Sequence, residues 1–418
     1  MRIGYACLPV GVVDTEIKSC RIKNAKEKRL KELIEHNLFA LDKMIEYNIA
    51  NGIELFRLCP DVIPYAASPV NSLKWWEIFE ESFKQLGQKV VENNLRLTIH
   101  PGPNAILNAK DKKVREDAIW ELTSHTRFLD ALGLDQSHKL IVPLGGIFRN
   151  KKKAISRFKE VYQDLDQRLK NRLVIENDPK CYNIEEVLEL GQELGIPVVF
   201  DWLSHRLNQA GRVKSDQDWI RQLETGWQIQ DGTPLIAYGD QGMGKKSGYY
   251  ADTVCLKDFL RFHEALSPNS CDIMLESQDK NLSAIKCLNA LNQNLTHQAL
   301  EEEWRRYEYA VLEGSPVNYL EIRKLLRSSD DCPVLAFYAL IEEALLQAPT
   351  MGNAINVAQH IWGDFRNLAS AQEKKYFHKL IERYEQDEIP LKTVKNDLWK
   401  LVIKYEQEYL KDAYYFAL

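Results

Sequence analysis

Apolar positions in the first ~280 residues fall into eight short runs, separated by longer stretches in which apolar and polar residues recur at helical spacing. The runs are Arg2–Cys7, Ile53–Arg57, Arg96–His100, Lys139–Leu144, Arg172–Asn177, Pro197–Asp201, Pro234–Gly239 and Cys271–Glu276. They are rich in Ile, Val and Leu and hardly alternate with polar residues, as expected of strands buried on both faces of a parallel sheet. Between the first two, Asn24–Asn48 carries Leu30, Leu33, Ile34, Leu38, Leu41 and Ile45 on one helical face. Ser72–Asn93, with Ser72 as N-cap, Lys112–Leu132, Lys153–Leu169 and Ile184–Leu194 predict further helices, the last stopped by Gly195-Ile-Pro197. Eight strands joined by helical crossovers imply an α/β fold, a closed (β/α)8 TIM barrel. In that architecture the reaction site lies where the strands end.

After about residue 290 the pattern changes. Strand-like runs cease, glycine becomes scarce, and six amphipathic segments between Thr296 and Leu418 predict an all-α domain. The expected partition is therefore a barrel over 1–290 and a helical domain over 291–418. With 45% apolar and 28% charged residues in 418, the chain reads as globular and soluble. No apolar run nears 18 residues, and the N-terminus lacks the long apolar stretch of a signal peptide, so a cytoplasmic protein without membrane partners is expected. The eight cysteines show no CxxC pairing, which favours reduced, structural thiols. A net charge of -5 advertises no general affinity for nucleic acid, although a local groove can still be positive.

Four runs end in chemistry. His100, Asp201 and Glu276 close the third, sixth and eighth, and Glu176 is the last residue but one of the fifth. A carboxylate ending an apolar run needs compensation, because an unpaired buried charge costs several kcal/mol. One such group would be ordinary and would find a salt bridge; three favour a shared cation. Hard oxygen donors with one imidazole suit Mn²⁺, Mg²⁺, Fe²⁺ or Zn²⁺. His205, four residues past Asp201, is a further candidate ligand. The glycine-rich loop Gly239–Gly248 lacks Walker spacing and reads as a mobile flap or substrate loop. Its Lys245 and Lys246 could meet a phosphate, and the adjoining Tyr249-Tyr250 could stack on bases. Lys151–Lys153 is a solvated charge run first and a phosphate contact second.

The segments Leu55-Phe-Arg-Leu-Cys-Pro-Asp-Val-Ile-Pro-Tyr-Ala, His100-Pro-Gly, Leu107-Asn108, Gly145-Gly146, Leu173-Val-Ile-Glu-Asn-Asp-Pro-Lys180, Pro197-Val-Val-Phe-Asp201 and Asp272-Ile-Met-Leu-Glu-Ser-Gln-Asp-Lys280 resemble, in order, the UV-damage endonuclease (UvdE/UvsE) family. The tail, with Asn353-x-x-Asn356-x-x-Gln359-His360-x-x-Gly363, resembles the YbgA-type (DUF1722) helical domain. The first resemblance implies a barrel that uses divalent metals to hydrolyse the backbone of damaged duplex DNA 5′ of a lesion. It makes Glu176, Glu276 and His100 catalytic, and His100, Glu176, Asp201, Glu276 and His205 the metal set. With the reading of the flap added, Tyr5, Asn108, Lys180, Gln241, Lys245 and Tyr250 are the expected substrate contacts. Ser68, Pro143, Ser204, Leu235, Ala237 and Tyr250 stand where the family carries other ligand-type residues, mostly histidines, and Pro103 where it carries a lesion-probing glutamine. The expectation is one ion, at most two, and slow or absent nicking of irradiated DNA. The alternative is a non-nucleolytic barrel, either a DNA- or partner-binding module or a mono-metal enzyme for a small molecule or peptide. A protein partner would use the helical domain.

Overall fold

The eight apolar runs become eight short parallel strands, each paired with its neighbours in chain order, and the eighth pairs with the first. They are β1 (Ile3–Ala6), β2 (Leu55–Leu58), β3 (Arg96–Ile99), β4 (Lys139–Pro143), β5 (Leu173–Glu176), β6 (Val198–Asp201), β7 (Leu235–Tyr238) and β8 (Asp272–Leu275). The structure is a computed structural model and describes residues 1–212, 214–267, 270–328 and 332–418. The α/β barrel read from periodicity is thus the fold observed. Two compact units result: Met1–Pro9 with Asp14–Leu288, and Val10–Val13 with Asn289–Leu418. Among the described residues no helix is long and apolar enough to cross a membrane.

Period-two alternation sorts the strand residues between the helix layer and the barrel interior. Tyr5 and Phe56 are register partners. The Tyr5 hydroxyl donates to Asn48 Oδ1 at 2.9 Å, on the helix Glu27–Ala50, so both rings face the helices. Ala6 and Arg57, the next register pair, therefore face inward.

The amino-terminal end of the barrel is closed by buried charges rather than by apolar side chains alone. Arg96 donates to Asp272 Oδ2 at 2.9 Å and to the carbonyls of Asp231 at 2.9 Å and Ser137 at 3.0 Å. Lys139, fully buried, is held by the Asp231 carboxylate and by the Asn171 carbonyl at 2.7 Å. His138 Nδ1 accepts the Leu97 N–H at 3.0 Å, and burial pushes its pKa down to about 4. A neutral imidazole is required there, since only an unprotonated nitrogen can accept.

The helices follow the expected spacing with local corrections. Ile184–Leu194 has a reciprocal cap between Asn183 and Glu186 and stops at Gly195, in left-handed conformation with φ 68°. The helix expected over Ser72–Asn93 is two helices, Trp75–Ile78 and Glu80–Glu92, broken at Phe79, and Ser72 caps neither. The segment Lys153–Leu169 likewise splits. Asn150 caps Lys151–Asp164 and Asp166 caps Gln167–Arg172, two acceptors that each satisfy free amide groups at a new start.

The second unit contains the six anticipated helices: His297–Gly314, Pro316–Ser328, Val334–Leu345, Met351–Phe365, Ala371–Glu385 and Leu391–Lys404. Its core centres on Val357, Ile361, Phe365, Val394 and Val402, with Trp362 stacked on Phe377 at 4.3 Å between ring centroids. The last amphipathic segment, read from sequence as one helix over Thr393–Phe416, is broken: Leu391–Lys404 ends before Glu406, which takes a left-handed φ of 49°, and a short helix, Glu408–Lys411, follows.

Candidate active site at the carboxyl ends of the strands

Four carboxyl-end positions and one cation make the site. β5 ends on Glu176 and β6 on Asp201, while His100 and Glu276 follow β3 and β8 directly. His100 Nε2 lies 2.7 Å from Glu176 Oε1. Asp201 caps the short helix Trp202–Leu207 by accepting the Ser204 N–H at 2.7 Å, and its other oxygen accepts the Tyr250 hydroxyl at 2.9 Å. Asn177 locks this corner: its amide exchanges two hydrogen bonds, each 2.9 Å, with the backbone of Asp201. Arg57 reaches from β2 and donates to Glu276 Oε1.

The charges are coupled. Burial and the neighbouring Glu176 charge push the Asp201 carboxyl up to about 7, against the Ser204 and Tyr250 hydrogen bonds, which favour the anion. Burial alone would raise Glu176, but His100 and Arg57 hold it below the usual carboxylate range. His100, which burial would lower, is raised by the same carboxylate. Burial opposes the Arg57 charge too, yet Glu276 and Glu176 raise its pKa. Its Nε and Nη2 lie buried without a hydrogen-bond partner among the described residues. The arrangement is an electrostatic cup: two anions, an imidazole, a titratable acid and one arginine with two unused donors.

The donor types match a divalent cation, but their present arrangement does not. Among the described residues no three His, Cys, Asp or Glu side chains stand close enough to share an ion. Each donor is spent on the protein: Glu276 on Arg57, Glu176 on His100 and Asp201 on Tyr250. These pairings are charge compensation by groups already within the cup, and the four side chains expected as ligands stand at the carboxyl ends of β3, β5, β6 and β8.

His205 is not brought to the cup. Because Asp201 is the cap, the following helical turn carries the ring back against Phe200, at 5.1 Å between centroids, and sets Nε2 3.3 Å from Asp216 Oδ1. Tyr5 is turned to the helix layer. Asn108 is buried, and its amide holds the Gly146 carbonyl at 3.0 Å. It also sets the backbone opposite: a Cβ on Gly145, where φ is 88°, would stand 2.4 Å from Asn108 Oδ1. Lys180 is exposed beyond β5.

Gln241 is spent on the flap. Its amide donates to the Lys246 and Tyr249 carbonyls at 3.0 and 3.1 Å, and its oxygen accepts the Gly248 N–H at 2.8 Å. These contacts draw the flap together, with Gln241 and Tyr250 joined in an antiparallel bridge. Lys245 is tied to Asp252 and to the Tyr250 carbonyl, and Lys151 to Glu186 at 2.7 Å. Of the expected substrate contacts, Tyr250 alone joins the carboxylates directly.

Sequence reading missed Arg57 and Asn177. Arg57 ended its apolar run as visibly as the carboxylates ended theirs, but a search for metal ligands passes over a cation. Asn177 sat between two acids and was overshadowed by them.

The family described as UV-endonuclease UvdE matches residues 1–303, and a family described as a protein of unknown function (DUF1722) matches residues 308–418. The chain is similar to a UV DNA damage endonuclease of Clostridium perfringens, 30% identical over 422 residues and covering all of both chains. A UV DNA damage endonuclease of Bacillus cereus is 28% identical over 304 residues, covering 70% of this chain and 95% of that protein. Among solved structures, the crystal structure of SacUVDE shares 30% identity and a TM-score of 0.66, covering 70% of this chain and 98% of its own.

Proposed function

The chain belongs to the UV-endonuclease UvdE family, and we propose that it is a DNA repair endonuclease that incises damaged duplex DNA slowly. The observation that carries this reading is the cup itself: Glu176, Asp201, Glu276 and His100 around Arg57, at the end of the barrel where such folds place their chemistry. Phosphodiester cleavage needs positive charge aimed at the phosphoryl oxygens and a group that moves a proton. Arg57 supplies a desolvated positive charge whose Nε and Nη2 have no hydrogen-bond partner among the described residues, a group of the type that grips phosphate bidentately. The His100–Glu176 pair can hold or release a proton at Nε2. Tyr250 orients Asp201 and closes the cup from the flap side.

Dependence on a divalent cation is part of the proposal. One ion, at most two, of Mn²⁺, Mg²⁺, Fe²⁺ or Zn²⁺ would have to win Glu276 from Arg57 and Asp201 from Tyr250. When bound, such an ion neutralises phosphoryl charge and acidifies water. The competition with Arg57 is one support for slow turnover, and Pro103 in place of a lesion-probing glutamine is another. Lys245 and Lys151 are spent on Asp252 and Glu186, which supports weak, salt-sensitive backbone contact.

Nicking of irradiated and unirradiated supercoiled plasmid tests the proposal. Slow relaxation of the irradiated form with Mn²⁺, weaker at physiological than at low salt, is expected. Equal nicking of both forms would instead place the activity outside lesion repair. No nicking with any of the four cations would favour the non-nucleolytic reading.

A further inference from the structure

Two cysteines stand at the mouth of the barrel where the first two strands end. β1 stops at Ala6 and β2 at Leu58, so Cys7 and Cys59 are the first residues beyond. Ala6 lies beside Arg57 in the parallel register, and the Cys7 N–H donates to the Arg57 carbonyl at 2.7 Å. Cys7 thus falls opposite Leu58, one residue from Cys59. Strands about 4.8 Å apart that rise about 3.3 Å per residue place such offset Cα atoms roughly 5.8 Å apart. That lies inside the ~4.4–6.8 Å that a disulfide spans. The two thiols are close enough to influence each other's ionisation, and both residues are only half-buried. Cys7 also takes a left-handed φ of 65°, which removes its side chain from the strand alternation at a cost of about 1 kcal/mol or more.

We propose that Cys7 and Cys59 are a modification site, a dithiol that a peroxide converts into a disulfide joining the ends of β1 and β2. In the first step a thiolate sulfur attacks one peroxide oxygen. The O–O bond breaks, hydroxide leaves and is protonated to water, and a sulfenic acid remains. The second thiolate then attacks that sulfur, the S–S bond forms, the S–O bond breaks, and a second water leaves. The pair loses two electrons and two protons, and hydrogen peroxide is reduced to two waters. The neighbouring Cys59 thiol, and after it the cations Arg57 and Lys280, bring the Cys7 thiol down to about 7 against burial, which favours thiolate there. Arg57 lies two residues before Cys59, so the cross-link also restrains the backbone that carries the site's cation.

Peptide mapping of the full, folded chain tests this independently of nuclease activity. Reduced protein is treated with equimolar hydrogen peroxide, its remaining thiols are alkylated, and it is cut with trypsin without reduction. The expected product is the peptide Ile3–Lys18 joined to Leu58–Lys74, lighter than their sum by two hydrogens and separated again by dithiothreitol. Cys7→Ser and Cys59→Ser should each abolish the joined peptide. The Cys59→Ser protein, checked for folding by its thermal melt, should instead accumulate a dimedone-trapped sulfenic acid at Cys7. Recovery of both residues as alkylated thiols after native oxidation would overturn the proposal. So would prior linkage of either to a different cysteine, or a link that forms only in urea.

Discussion

Arg57 carries a full charge in a place that burial alone would forbid, and it is kept there by Glu276 and Glu176. Replacing it with methionine leaves buried carboxylate charge without its cation, a change that costs about 3–5 kcal/mol when one partner of a buried pair is removed. Urea unfolding of Arg57→Met should show that loss, while Arg57→Lys should keep part of the stability; a methionine variant as stable as the parent would mean the pair is not formed. His138 supplies a pH dependence of its own. Its folded pKa, about 4, lies below the ordinary value of 6.5, so the unfolded chain takes up the proton first as pH falls. The stability secured by neutral His138 is intact above pH ~6.5 and is lost as pH drops toward 4. Between pH 7.5 and 5 this single group should remove about 2 kcal/mol. His138→Asn, which keeps an acceptor for the Leu97 N–H, should lack that part of the decline in unfolding curves at the two pH values.

At the scale of elements, the closed amino-terminal end of the barrel depends on β3, β4 and β8 carrying charged residues that satisfy one another. Lys139→Met should cost about 3–5 kcal/mol, because Asp231 loses its cation. The double variant Lys139→Met/Asp231→Asn should recover much of it, since the stranded charge is removed as well. Additive losses in chemical unfolding would contradict this coupling. The strands themselves were legible because an apolar run buried on both faces has little other use, and the carboxylates because each interrupted such a run. The partners were not legible. Charged residues inside strands, such as Arg96, Lys139 and Asp272, look alike in sequence whether they meet a substrate or each other. The placement of His205 was not legible either: its ring packs on Phe200 and its Nε2 lies beside Asp216, partners that spacing from Asp201 does not reveal. Helix breaks at Phe79 and at Glu406 escaped because the apolar periodicity continues across them.

At the scale of the whole molecule, the barrel matches the UvdE family along its length while its cup is filled from within by an arginine and a tyrosine. That combination predicts a low metal load. Elemental analysis after exhaustive dialysis should find about one divalent ion per chain, as four candidate ligands hold no more than one or two; three retained ions would require donors outside the set named here. The central claim is that the cup cleaves damaged DNA, and it is tested most directly by single-turnover incision of a labelled duplex bearing one defined UV photoproduct. With Mn²⁺, the account predicts slow cutting on the 5′ side of the lesion, absent from the undamaged duplex and abolished by Glu276→Gln in protein shown to be folded. Lesion-dependent cutting that survives Glu276→Gln, or none at all by the parent chain with any of the four cations, would contradict it.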